Sequence, residues 1–145
     1  MASEPDPRLL GVLETVIYHE PDQSEPMLHL YRDVLGLAVV AGWEDGTALR
    51  CGGGVVLIFD RAKLAERDEP IADHVTSGST HVAFLASPQQ YDAWRERLRA
   101  AGVEITHEHE WPEGRRSLYF RDPAANLIEI AGGDIWPNPA GGGPG

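Results

Sequence analysis

Three strand-like segments of the 145-residue chain each carry one side chain that could bind a divalent cation. Glu14 lies in LETVIY, His81 in THVAFLA and Glu129 in NLIEIA. A carboxylate between apolar neighbours in mid-strand is costly to bury unless it is paired or metal-bound, so Glu129 needs a partner. Taken singly, each has a simpler interpretation: a solvent-facing glutamate for Glu14 and Glu129, or a hydrogen-bonded core histidine for His81. Their spacing decides between these interpretations.

The elements that must position these side chains occur twice along the chain. Each half is predicted to contain a strand, a helix that ends at a glycine (Gly36 or Gly102) and then three short strands. The predicted strands are 13–18, 39–40, 47–51 and 55–59, then 80–86, 103–107, 117–121 and 126–131. Two βαβββ modules offset by roughly 70 residues explain this order, and they place Glu14 and His81 at corresponding positions.

Strand periodicity then assigns the polar residues to one face. Side chains alternate between the two sides of a strand, so the apolar side of each strand is expected to carry the helices. The other side collects residues that could do chemistry: Glu14, His81, Ser117, Tyr119, Arg121 and Glu129. Arg50 takes the matching position in the first module. The three candidate metal ligands therefore share a face in this prediction.

Composition limits the classes of partner. The chain has 12 basic and 23 acidic residues, a net charge of −11, which argues against nucleic acid or an anionic membrane as a partner. The longest apolar run, 55–59, is too short to cross a bilayer. The first residues lack the pattern of a signal peptide, and the single Cys51 cannot form an internal disulfide, so we expect a cytoplasmic protein.

The predicted domain organisation follows from the repeat. We expect a flexible N-terminus (1–10), a first module (11–61), a linker (62–78), a second module (79–132) and a tail rich in Gly and Pro (133–145). The two modules together would form one domain.

Three sequence motifs carry a family resemblance. They are YRDVLGL at 31–37, THVAF at 80–84 and SLYFRDPAANLIE at 117–129. On these motifs the chain, from about Val12 to Ala131, resembles the vicinal oxygen chelate superfamily, which includes glyoxalase I, fosfomycin-resistance proteins, extradiol dioxygenases, methylmalonyl-CoA epimerase and bleomycin-resistance proteins. The resemblance implies an α+β fold in which two βαβββ modules form a cup-shaped, half-open mixed sheet with helices packed outside.

The resemblance also implies a ligand set of Glu14, His81 and Glu129 around one divalent metal. Glyoxalase I has a fourth ligand, which the repeat places at Ile58; isoleucine cannot ligate, so the site resembles a three-ligand branch. Those branches usually have His at the first position, and an alternative register would place Thr15 there and leave two ligands. Ala125 stands where the family commonly has Gly; at positive φ an alanine costs about 1 kcal/mol, which favours another turn type.

These residues predict a metalloenzyme. Oxygen-rich ligation favours Mn²⁺, Fe²⁺ or Mg²⁺, with Zn²⁺ and Ni²⁺ as alternatives, and the metal would act as a Lewis acid on a small oxygenated substrate. Glu14 is also a candidate catalytic residue, with Tyr119 as a candidate proton donor. The candidate substrate-binding residues, for a polar or anionic molecule, are Arg50, Ser117 and Arg121. Arg121 could instead pair with Asp122 or Glu129.

The reaction stays open among lyase, transferase, epimerase and dioxygenase chemistry. The competing hypothesis is a metal-free ligand-binding protein of the bleomycin-resistance kind, which Glu14 and Ile58 favour, and a non-catalytic module on the same fold is a third. A homodimer is expected from the resemblance. His107 and His109 have a spacing that can bind metal, but amid several glutamates they are interpreted as an exposed strand end.

Overall fold

In a computed structural model, residues 12–66 and 78–135 are described, and they form two four-stranded mixed sheets. The predicted N-terminus at 1–10, linker residues 67–77 and tail residues 136–145 lie outside these ranges. The strands are β1 (Glu14–His19), β2 (Ala38–Gly42), β3 (Gly46–Cys51), β4 (Gly54–Asp60), β5 (His81–Ala86), β6 (His107–Glu110), β7 (Arg116–Arg121) and β8 (Leu127–Gly132). The helices are α1 (Ser24–Leu28), α2 (Arg61–Ala65) and α3 (Tyr91–Ala100).

The two sheets have the same topology, which confirms the predicted pair of βαβββ modules. The first has the order β1-β4-β3-β2 and the second β5-β8-β7-β6. In each, the first strand runs parallel to the last, and the remaining pairs are antiparallel. Glu14 and His81 are the first residues of β1 and β5, so the structure gives them equivalent places.

Both modules bury one side of their sheet in a shared hydrophobic core. Ile17 and Tyr31 of the first module belong to the same buried cluster as Leu98, Leu118 and Ile128 of the second. The opposite side of each sheet, which we call its open face, is therefore turned away from this core.

A buried polar network joins the modules. The Tyr31 hydroxyl donates to Asp122 Oδ2 at 2.8 Å, and burial together with this carboxylate raises the pKa of Tyr31 well above its ordinary value. Asp122 Oδ1 accepts the backbone N–H groups of Ala124 and Asn126, each at 2.9 Å. Asn126 Oδ1 in turn accepts the Thr80 N–H at 2.9 Å. The network thus fixes the residue that precedes His81.

Two elements differ from the sequence prediction. Strand β6 begins at His107 rather than at 103, because Val103 and Ile105 pack against the core before the chain enters the strand. Helix α2 occupies residues predicted to be linker; Asp60 caps it by accepting the Lys63 N–H at 3.0 Å. Leu64 of this helix is buried with Tyr18 and Phe59.

The first helical segment continues from α1 into a π-helical turn, His29–Val34, before ending at Gly36 as predicted. The Leu35 N–H accordingly bonds the Leu30 carbonyl, five residues back, at 2.9 Å. In the described parts of the chain, every helix is too short or too polar to span a membrane.

Candidate metal centre and open face

The open face of the second sheet brings His81 and Glu129 together. His81 Nε2 lies 3.2 Å from Glu129 Oε2, and the side chains are 48% and 6% exposed. The two residues sit on adjacent strands, and the Glu129 side chain is nearly buried although it lies on the face opposite to Ile128 and Ile130. The predicted need of Glu129 for a partner is met by this imidazole.

The second ring nitrogen of His81 determines what the first can do. Nδ1 lies 2.9 Å from the Leu127 carbonyl oxygen, a group that only accepts hydrogen bonds, so Nδ1 carries a proton. Nε2 is the nitrogen left to face Glu129 Oε2: with a proton it forms an ion pair with the carboxylate, and without one its lone pair is available to a cation shared with Oε2. Two ligands at right angles, each bonded at about 2.1 Å, are about 3 Å apart. The pair therefore fits two corners of a metal coordination sphere, with the outer hydrogen bond that metal-binding histidines usually make.

Tyr119 completes the arrangement around Glu129. Its hydroxyl donates to Glu129 Oε1 at 3.1 Å, which leaves Oε2 to face His81. Burial, then the hydrogen bond and the negative charge of Glu129, raise the pKa of Tyr119. The hydroxyl therefore keeps its proton at neutral pH, as a candidate proton donor must.

Glu14 does not join this pair within one chain. Among residues 12–66 and 78–135, no three His, Cys, Asp or Glu side chains come close enough together to hold a metal ion. Glu14 is exposed on the open face of the first sheet, on the same side of β1 as Val16, while Ile17 points into the core. Thr15 shares the core-facing side of Ile17, so Glu14, not Thr15, is the outward residue.

The position equivalent to Glu129 in the first module is Leu57, and the assignment to Ile58 was wrong by one residue. Val16 pairs with Leu57, as Ala83 pairs with Glu129. Ile58 is 2% exposed and belongs to the shared core. The error arises because the turn between the last two strands is one residue longer in the second module. Leucine also cannot ligate, so the first module still lacks this ligand.

Arg50 and Arg121 occupy equivalent edges of the two open faces. Arg50 lies across β4 from Glu14, and Arg121 lies across β8 from His81. Both are exposed. The Arg121 guanidinium donates to the Ala125 carbonyl, a backbone group of the turn, at 3.1 Å.

Ser117 has a structural partner on the same face. It is fully buried, and its hydroxyl accepts the indole N–H of Trp111 at 2.9 Å. This bond fixes the Trp111 ring at the end of β6. Through it, Ser117 shapes the open face without being exposed itself.

A continuous row of rings extends from the His81–Glu129 pair, and sequence reasoning missed it. Tyr119 lies 6.5 Å from His81 and 5.7 Å from His107, measured between ring centroids. His109 lies 6.3 Å from His107 and 4.4 Å from Trp111, against which it packs edge-on. The alternation of the two histidines was visible in the sequence, but only the register of β6 with β7 places His107 opposite Tyr119 and His109 opposite Ser117.

The turn before β8 keeps the family geometry despite its alanine. Ala125 has φ +65°, so the expectation of another turn type was wrong. Asp122 holds the turn by accepting two backbone N–H groups and by accepting from the Asn126 side chain at 2.8 Å. These bonds compensate the strain that the alanine introduces.

Comparisons with known proteins agree with this geometry. The family model described as the Glyoxalase/Bleomycin resistance protein/Dioxygenase superfamily matches residues 21–130. The chain is 31% identical over 106 residues to the glutathione transferase FosA of Serratia marcescens, covering 72% of this chain and 70% of that protein.

Solved structures of other proteins share the fold of this chain. Lactoylglutathione lyase from Agrobacterium tumefaciens superposes with a TM-score of 0.78 and 31% identity over 86% of this chain and 94% of that one. A variant of the fosfomycin resistance protein FosX from Listeria monocytogenes, in complex with Mn(II) and a dihydroxypropylphosphonic acid, shares the fold with a TM-score of 0.65 and 18% identity, covering 88% and 94%.

Proposed function

Because this chain belongs to the glyoxalase/bleomycin resistance protein/dioxygenase superfamily, we propose that it is a metal-dependent enzyme acting on a small oxygenated substrate. The observation that carries the proposal is the His81–Glu129 pair, in which Nδ1 bonds the Leu127 carbonyl and Nε2 faces Glu129 Oε2 at 3.2 Å. A divalent ion bound there would supply Lewis-acid chemistry, polarising an oxygen of the substrate. The donor set of one nitrogen and carboxylate oxygens suits Mn²⁺, Fe²⁺ or Mg²⁺, and also accepts Zn²⁺ or Ni²⁺.

Glu14 is proposed to complete the ligand set from a second copy of the chain. Within the described part of one chain, Glu14 does not come together with the His81–Glu129 pair, and the faces that carry them both lie opposite the shared core. A second copy that lays its first open face on this second open face would place its Glu14 opposite His81. The homodimer expected for the family would then be required for function.

The remaining polar residues of the two faces have proposed roles in binding and proton transfer. Tyr119 would hold a proton beside the substrate oxygen, since its hydroxyl is already oriented by Glu129. Arg50 and Arg121, exposed on the two faces, would bind the anionic part of the substrate. Glu14 would act as ligand or, when displaced, as base.

Mn²⁺ titration by isothermal calorimetry tests the proposal on the purified chain. We expect tight binding by the natural protein and a loss of at least about a hundredfold in His81→Ala, since even outer-shell changes cost up to about that much. His29→Ala is a matched control, because His29 Nδ1 also lies 3.2 Å from a carboxylate, Asp33, but on an exposed helix. Equal Mn²⁺ affinity in all three proteins would overturn the proposed metal centre.

Mixing two inactive variants tests the shared site. Glu14→Ala and His81→Ala should each bind Mn²⁺ weakly alone. Unfolding and refolding the two variants together creates mixed dimers. If Glu14 acts from the second copy, one of the two sites in each mixed dimer is intact, and tight Mn²⁺ binding returns in the mixed dimers. No recovery on mixing would show that the ligands come from one chain.

The metal-free ligand-binding alternative is favoured by one observation. The described residues of a single chain bring together only two of the three ligand candidates. Under this alternative, metal content is zero and substitutions of Glu14 or Glu129 leave ligand affinity unchanged, which the same calorimetry distinguishes.

A further inference from the structure

We infer that the substrate carries a planar aromatic group next to its chelating oxygens, and that the row of rings on the second open face binds it. The inference deepens the proposed function and rests on it for the placement of the chelating oxygens. The residues that would contact the aromatic group are His107, His109 and Trp111, which lie beyond Tyr119 as seen from the metal-binding pair.

The ring row presents exposed ring faces. All four residues of β6 are exposed, and the alternation of the strand turns His107 and His109 to the open face while Glu108 points the other way, where Tyr91 donates to it at 2.8 Å. The indole N–H of Trp111 is already used by Ser117. The row therefore offers ring faces and edges together with the imidazole nitrogens, and the separations of 4.4 to 6.3 Å are those of interacting aromatic pairs.

The open face becomes less polar along the strands. The cross-strand row that contains Glu129 also contains Tyr119 and His107, whereas the next row contains Ala131 and Ser117 beside His109. Leu85, which pairs with Ala131, is 72% exposed there. Two residues along a strand span about 7 Å, roughly one phenyl ring plus a bond. A ligand chelated at Glu129 would thus reach an apolar surface within one ring length.

The first open face supplies the matching opposite surface. Glu14 and Arg50 share one cross-strand row, but the next holds Val16, Leu57 and Ala48, all apolar; Ala48 is buried, while Val16 and Leu57 are half-buried. If two copies join as proposed, the exposed parts of Val16 and Leu57 face the ring row. A slot with rings on one side and aliphatic side chains on the other favours a flat apolar group over a charged or branched one.

Calorimetry with two α-hydroxy acids tests the inference. Mandelate and lactate present the same chelating oxygens and differ by phenyl in place of methyl. We expect Mn²⁺-loaded protein to bind mandelate about tenfold more tightly than lactate, in keeping with the burial of one aromatic ring. The ratio of mandelate affinity to lactate affinity should fall towards one in His109→Ala and in Trp111→Leu. His29→Ala, remote from the row, should keep the ratio of the natural protein.

The outcomes separate this inference from the proposed function. Equal affinities for mandelate and lactate in the natural protein overturn the inference and leave the metal centre standing. A mandelate preference that survives both ring substitutions also overturns it. If metal-free protein binds mandelate over lactate, and His109→Ala removes the preference, the ring row is supported while the metal-dependent function fails.

Discussion

The two open faces are built on the same strand order and have opposite characters. In the second module the central row holds Glu129 and Tyr119; the equivalent places in the first module hold Leu57 and Ala48. Each face keeps an arginine at one edge and a candidate ligand, Glu14 or His81, at the start of its first strand. The difference fits the proposed function, in which the second face would provide the chemistry and the first would add a single carboxylate.

The largest effect is expected when Glu129 of the second open face is replaced by leucine, the residue that Leu57 supplies at the equivalent place of the first. Glu129→Leu removes the ligand carboxylate, and we expect Mn²⁺ affinity to fall by at least about a hundredfold. The unfolding free energy should change little, because replacing a buried carboxylate by an apolar side chain of similar volume offsets the hydrogen bond lost to Tyr119. Calorimetry and urea denaturation measure the two quantities. A stable variant that still binds Mn²⁺ as the natural protein does would contradict the proposed difference between the two open faces.

The next effect concerns the contact between the modules. Tyr31 and Tyr91 are both buried, and each hydroxyl donates to a carboxylate at 2.8 Å, but Tyr31 bonds Asp122 of the other module and Tyr91 bonds Glu108 of its own. Tyr31→Phe should lower the unfolding free energy by about 2 kcal/mol, since its acceptor is buried and charged. Tyr91→Phe should cost about 1 kcal/mol or less, because Glu108 is partly exposed and also faces Arg95 at 3.4 Å. Equal losses in urea denaturation would contradict this difference between the two contacts.

A smaller effect appears in alkaline solution. Burial, followed by the hydrogen bond to Glu108, raises the pKa of Tyr91 to about 12. The native state holds this proton while the unfolded state, with a pKa near 10, releases it, so the stabilisation is full below about pH 10 and is lost as the pH rises towards about 12. Urea denaturation between pH 9 and 12 should show the decline. It should be shallower in Tyr91→Phe, and a decline of unchanged slope would be evidence against this role of Tyr91.

The smallest effect contrasts the two turns before the last strands. Gly52 has φ +55° in the first module, and Ala125 has φ +65° in the second. Ala125→Gly should raise the unfolding free energy by up to about 1 kcal/mol, and Gly52→Ala should lower it by about as much. Thermal denaturation of both variants measures this. Shifts of the same sign would contradict this account of backbone strain at the two positive-φ positions.

Local sequence signals were sufficient for most of the fold. The glycines at the helix ends and the alternation in THVAFLA and LIEIA predicted the module order, since they depend on backbone conformation and on the side that each residue takes. The errors concern alignment between segments. Ile58 was taken for the partner of Glu129 because counting along the chain cannot detect a turn that is longer by one residue.

The candidate site was likewise predictable only in part. The pairing of His81 with Glu129 follows from strand parity and from the cost of a lone buried carboxylate, so sequence could predict it. That Glu14 does not come together with this pair within the described part of one chain follows from the packing of two sheets on one core, which no local pattern records. The ring row likewise depends on a strand register, His107 against Tyr119, that only the folded sheet defines.

The outward direction of both open faces has a consequence for how such a protein changes over generations. In the second sheet, the side chains that would select a metal or a substrate project from one side, while those of the shared core project from the other. Exchanging Tyr119 or His107 would therefore alter what the protein recognises with little disturbance to Ile17, Leu118 or Ile128. New specificities can accumulate on this scaffold without first requiring compensating changes in its interior.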